Sequence, residues 1–232
     1  MISTAQLIAR VDQLTKDGTS GYSTQEEKNS DLFAVQYEVL GLLCDNYERN
    51  QKVSDSLINH VKFRDIVSNS NGVLGFSSSG SDDYVDDYYR TLSILLGHTG
   101  SAIQYPATKV NINEIAMYKT SPIRKMVLAD NRVGYYFADG EIIMLPETQM
   151  DVCLVYCKKP ALAEIVYTSS SDEDNDYLEV DELETIDLEF PENLFNLFTY
   201  LLLEKRGIEM KDQLSQEYSQ LGITRTTKID IT

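Results

Sequence analysis

A run of side chains near residue 200 limits the possible folds more than any other feature. Residues 191–206 begin on Pro191, and Leu194, Leu197, Phe198, Leu201 and Leu202 recur at helical spacing. Phe195, Tyr200 and Leu203 widen that stripe until apolar surface covers almost the whole circumference. A helix with so little polar face must be central, or must lie between subunits. Proline suits the first turn, and Gly207 supplies the stop. In residues 209–221, Met210, Leu214, Tyr218 and Leu221 form a second stripe that ends at Gly222, so an antiparallel helical hairpin is predicted.

The start of the chain is also helical in pattern. Ser3 and Gln6 form a capping box, with Ile2 and Leu7 at the staple positions. Leu7, Val11 and Leu14 make one stripe, which stops at Gly18. Ser23 and Glu26 form a second capping box, and the helix behind it runs to about Arg49. Leu32, Val35, Val39 and Leu43 line one face of that helix, and Phe33, Tyr37, Leu40 and Cys44 an adjacent one. Two apolar faces require more than one packing partner.

The middle changes character. Residues 53–66 carry a weaker helical pattern, and residues 69–83 read as loop. Residues 84–96 read as a helical turn entering a strand, and the acids and tyrosines of 82–89 suit either a half-buried tyrosine face or an interface patch. Residues 110–117 suggest extended chain or a short helix, and Ser121-Pro122 signals a helix start. Residues 133–137 and 141–145 flank Asp139-Gly140 as a hairpin, with further strands at 152–157 and 163–168. Residues 169–176, Ser-Ser-Ser-Asp-Glu-Asp-Asn-Asp, read as a flexible solvated loop.

The expected fold is α+β: a helical bundle formed by N- and C-terminal helices, with a small central antiparallel β module. The expected parts are a helical region with a loop-rich insertion (1–106), a β-rich module (107–168), an acidic loop and lead-in (169–189), the helical hairpin (190–222) and an extended arm (223–232).

Searches for chemistry find little. Neither a phosphate-binding glycine loop nor a nucleophile elbow is present. The EF-hand spacing and its glycine are missing from the acidic loop. Cys44, Cys153 and Cys157 are an odd set without a second ligand pair, and they read as reduced core residues. The formal charge of −17 argues against a groove for nucleic acid, which needs clustered Lys and Arg. No signal peptide or bilayer-length apolar run is read, so synthesis in a cytoplasm is expected. No catalytic, cofactor-binding or metal-binding residue is assigned, and the chain is not expected to be an enzyme.

Several local words, in order, resemble the head-to-tail connector (adaptor or ring) proteins beneath the portal of short-tailed phages, crAss-like phages among them. Residues 133–146, Val-Gly-Tyr-Tyr-Phe-Ala-Asp-Gly-Glu-Ile-Ile-Met-Leu-Pro, are similar to their strand–turn–strand with a closing proline. Val155-Tyr156-Cys157-Lys158-Lys159-Pro160 resembles their strand end. Phe190-Pro191-Glu192, Gly207 and Gln216-Glu217-Tyr218 resemble their C-terminal helical hairpin. Asp86-Asp87-Tyr88 matches a further word but lacks its proline.

The resemblance implies a virion structural protein of the neck or tail, assembled in the host cytoplasm. It implies a homo-oligomeric ring, commonly of twelve subunits, that docks on the portal protein and on tail proteins. DNA would pass through the lumen without specific binding. Contacts between subunits are expected at Phe195, Phe198 and Tyr200, and on the arm at Thr224, Arg225, Ile229 and Ile231. Ile229 and Ile231 alternate with polar residues, as a strand added to a partner would. Two other readings stay open: another tail or capsid-associated structural protein, and a non-viral protein-binding module.

Overall fold

The structure, a computed structural model, describes residues 1–16, 24–50, 54–75, 85–97, 104–139, 141–172 and 175–206. The fold is mixed α+β. Two compact units make up the chain: one takes Met1–Asn59 and the chain from Pro160 on, the other is His60–Lys159.

The first unit contains α1 (Thr4–Lys16), α2 (Gln25–Asn50) and α4 (Phe195–Lys205), and α4 packs on both of the others. Ser3 caps α1 through Gln6 N–H at 3.4 Å, and Asp187 Oδ1 accepts from Thr4 N–H at 2.9 Å, so a distant residue serves the same helix end. The capping box of α2 lies one residue beyond the expected pair. Thr24 N–H donates to Glu27 Oε2 at 2.9 Å, and Glu27 N–H donates to Thr24 Oγ1 at 3.2 Å. Both staple residues, Ile2 and Leu7, are buried. Ile2 also pairs with Leu188 in a short antiparallel bridge, which ties the chain start to the segment leading into α4.

A strand is expected over residues 163–168; residues 167 and 168 do open a strand, whereas residues 161–166 run extended along α2, with a backbone bridge from Glu164 to Ile186 and side chains as further partners. Gln36 donates to Ala161 O at 3.1 Å and accepts from Ala163 N–H at 3.3 Å. Asn29 does the same at Ile165, and Gln25 Oε1 accepts from Tyr167 N–H at 3.3 Å. Side-chain amides thus satisfy backbone groups that a sheet neighbour would otherwise meet. The expected acidic loop is instead a hairpin: β9 (Tyr167–Asp172) pairs antiparallel with β10 (Asn175–Val180). A polar composition does not prevent a ladder, because the ladder is made by the main chain.

The second unit holds two four-stranded sheets, and it includes strands that the sequence pattern had assigned to the N-terminal helical part. One sheet is ordered β1 (Val61–Val67), β8 (Asp151–Lys158), β3 (Tyr88–Leu96), β4 (Tyr105–Pro106). The other is ordered β2 (Val73–Leu74), β7 (Glu141–Leu145), β6 (Gly134–Ala138), β5 (Thr108–Lys109). Ile66, Ile94, Val152, Leu154 and Tyr156 of the first sheet share a core with Leu74, Tyr135, Ile142 and Met144 of the second. The far side of the second sheet is covered too. Val110, Met126, Tyr136 and Leu145 cluster there, with Ile115 and Tyr118 of α3 (Ile115–Thr120) packed on them.

Two helical expectations fail in this unit. Residues 61–67 form an edge strand, because seven-residue pairing with the buried β8 outweighs a weak local pattern. Ser121-Pro122 ends a helix and does not begin one: Ser121 N–H donates to Met117 O at 3.0 Å, and its hydroxyl accepts from Ile123 and Arg124 N–H in a single turn. The hairpin β6–β7 forms as expected, with Asp139 in the left-handed region at φ 52°. The second C-terminal helix (209–221), the arm (223–232) and the serine run (77–81) lie outside the described residues.

Candidate interaction surfaces

The apolar circumference of α4 is largely consumed within its own unit. Leu197, Phe198, Leu201, Leu202 and Leu203 are buried, and the Phe198 ring centre lies 5.0 Å from that of Phe190. Phe198 therefore serves the core of its own unit. Phe195 and Tyr200 are half-buried and keep some surface. Thr224, Arg225, Ile229 and Ile231 lie outside the described residues.

Next to α4, three helices meet in an ion-pair network. Asp12 of α1 receives Lys28 Nζ at 2.7 Å and Arg206 Nη1 at 2.8 Å. Lys28 also donates to Tyr167 OH at 2.9 Å and lies over that ring. The cationic side chains are only 11% and 12% exposed. Burial pushes the Asp12 pKa up, but hydrogen bonds and charge from Lys28 and Arg206 outweigh it and hold the carboxyl below its usual range. Burial likewise lowers Lys28, and Asp12 and Tyr167 more than reverse that. Asp31, 3.9 Å from Arg206 Nε, is raised, because burial outweighs the nearby cations. This network fastens helix ends.

The central unit presents more surface. Edge strand β1 exposes Phe63 and Val67. Asp87, just before β3, joins the strands behind that edge: it accepts from Lys62 Nζ at 2.7 Å and from Tyr156 OH at 2.9 Å. Burial raises the Asp87 carboxyl, and those two donors more than offset it, leaving it lowered. The Tyr156 phenol is raised, by burial first and then by Asp87.

Beyond the second sheet lies a cavity of about 420 Å³. Pro106, Tyr118, Met126 and Val133 line it together with the polar Thr108, Asn131, Arg124 and Arg132. Arg132 is braced by Asp130 at 3.0 Å and by Ile123 O at 3.2 Å. Arg124 touches Met117 Sδ at 3.4 Å, and among the described residues no carboxylate lies within ion-pair distance of Arg124 or Lys125. Ile123 projects beside them at 82% exposure. This arrangement suits an apolar group flanked by negative charge.

The sequence reading missed the cavity. Its signal was present, since residues 119–125 carry Lys119, Arg124 and Lys125 without an acid in a chain of net charge −17. Among the described residues, no group of three His, Cys, Asp or Glu side chains is arranged to hold a metal ion, and no helix is long and apolar enough to cross a membrane. No protein-family model matches the chain, and no curated protein matches it.

Proposed function

We propose that this chain is a structural subunit of a virus particle: a head-to-tail connector whose copies close into a ring under the portal and carry tail proteins. In this reading helices from both chain ends form one bundle, and the chain between them forms a separate β unit. The observation that carries the proposal is the order of the connector-like words and where they fall. Residues 133–146 are the β6–β7 hairpin with Pro146 at its close, residues 155–160 are the end of β8 running into Pro160, and Pro191 leads into α4.

Two surface features support it. The chain's strong negative charge lets DNA pass a lumen without adhering. Among the described residues β1 is the end strand of its sheet, with Phe63 and Val67 exposed; such an end strand suits strand addition, and in this reading the arm of a neighbouring copy supplies the strand through Ile229 and Ile231. Thr224 and Arg225 lead that arm in, and Phe195 and Tyr200 offer the remaining surface of α4.

Negative-stain microscopy of the purified chain, alone and mixed with a phage portal protein, tests the proposal. Closed rings, or a defined complex with the portal, are expected. A compact monomer that ignores the portal would overturn it and favour a protein-binding module.

A further inference from the structure

The geometry points to a specific contact between copies of this chain: the acid-flanked Leu183 of one copy seats in the arginine-rimmed cavity of the central unit of the next. The inference rests on the reading of the chain as self-assembling, and needs nothing from the portal.

Leu183 is 98% exposed. It is not on a loose loop. Asp181 Oδ1 accepts from Leu183 N–H at 3.0 Å and from Glu184 N–H at 3.2 Å, and Asp181 O accepts from Thr185 N–H at 2.9 Å. The turn therefore holds a leucine in water, with exposed Glu182 and Glu184 on either side. Residues 176–184 contain five carboxylates and neither lysine nor arginine.

The cavity is the chemical complement. Its lining mixes Pro106, Tyr118, Met126 and Val133 with Thr108, Asn131 and the guanidiniums of Arg124 and Arg132, its volume accommodates a leucine with part of its turn, and a guanidinium such as Arg124 meets a carboxylate in forked geometry. Arg124 and Lys125 have no carboxylate within ion-pair distance among the described residues, whereas the Leu183 turn carries an excess. A DNA backbone would satisfy the guanidiniums but has no apolar group for Tyr118, Met126 and Val133. A knob and a socket on different surfaces of one chain make a head-to-tail contact, and such contacts generate rings when the rotation closes.

Two differently tagged populations of the full chain test this, one carrying Leu183→Cys and the other Thr108→Cys in the cavity wall. The native cysteines Cys44, Cys153 and Cys157 are buried. Mild oxidation of the mixture is expected to give a disulfide-linked dimer carrying both tags. Arg124→Glu in the acceptor, or Leu183→Asp in untagged self-association, should weaken association by about tenfold, and Glu182→Lys with Glu184→Lys in the donor should restore it to Arg124→Glu. Leu183→Asp alters only an exposed side chain, so it reports binding even if the arginine variant folds poorly.

Disulfide-linked dimers that carry only one of the two tags would overturn the inference. Rings that form without the cross-link would overturn this contact and leave the assembly reading standing. A chain that neither cross-links nor associates would remove both. Duplex DNA binding that Arg124→Glu abolishes would reassign the cavity to phosphate.

Discussion

Asn29 and Ile165 are joined as two residues of a β-ladder are joined, except that one of them contributes its side chain. Asn29 Oδ1 accepts from Ile165 N–H at 2.9 Å, and Nδ2 donates to Ile165 O at 3.2 Å. Ile165 is fully buried, so neither backbone group has water as an alternative. Asn29→Asp keeps the acceptor but loses the donor, and sets a carboxylate against a carbonyl. The expected loss is about 2 kcal/mol, read as a lower urea midpoint with an unchanged slope.

Asp12→Asn should cost more. It leaves Lys28 and Arg206, both largely buried, without their shared anion, and removing one partner of such a network costs about 3 kcal/mol. The sign with pH follows from the lowered carboxyl. Its folded pKa lies below the ordinary value of 3.8, so its stabilisation is complete above that value and is lost as pH falls through the folded one. Acid unfolding of the wild type should therefore show a stability loss below about pH 4 that Asp12→Asn lacks. Denaturant melts across that range check it.

Asp87 separates two effects. Asp87→Asn removes the charge opposite Lys62, whose side chain is half exposed, so no more than about 1 kcal/mol is expected. Asp87→Ala also strands the buried Tyr156 hydroxyl and should cost about 2 kcal/mol. Adding Tyr156→Phe to Asp87→Ala removes the orphan group and should recover part of that loss. Thermal melts of the three variants decide it.

Gly134 tests the packing beside the cavity. A Cβ there would lie 3.0 Å from Met126 Cε and from Val110 Cγ2, and 3.1 Å from Thr108 O. Two side-chain tips can shift, but the carbonyl belongs to the β5–β6 pairing. Gly134→Ala should destabilise by about 1–2 kcal/mol and displace Met126 in the cavity wall. Calorimetry gives the first effect, and the Met126 methyl resonance the second.

The parts of this fold that were legible in the sequence are those whose burial has a period. The stripes of α1, α2 and α4 and the hairpin at Asp139 all carry their own pattern. Val61–Val67 does not, because only Ile66 is buried and the strand exists through its pairing with β8. The extended course of 163–166 was legible, but its partners were not, since they are Asn29 and Gln36, polar residues far away in sequence. Ser121-Pro122 misled because one serine hydroxyl can close an isolated turn as readily as it begins a helix. At the candidate surface, the basic run was visible, but the cavity depends on bringing Pro106, Met126 and Val133 to one place. The projection of Leu183 depends on a turn that Asp181 builds, and no hydrophobic pattern reports that.

The central unit begins and ends on partnered strands: Val61 lies opposite Cys157, so the chain arrives and departs about 5 Å apart. A cassette with adjoining ends can be excised, and a linker of a few residues rejoins the host polypeptide. A deletion that spans residues 60–159 is therefore the natural genetic lesion for separating what the two units contribute.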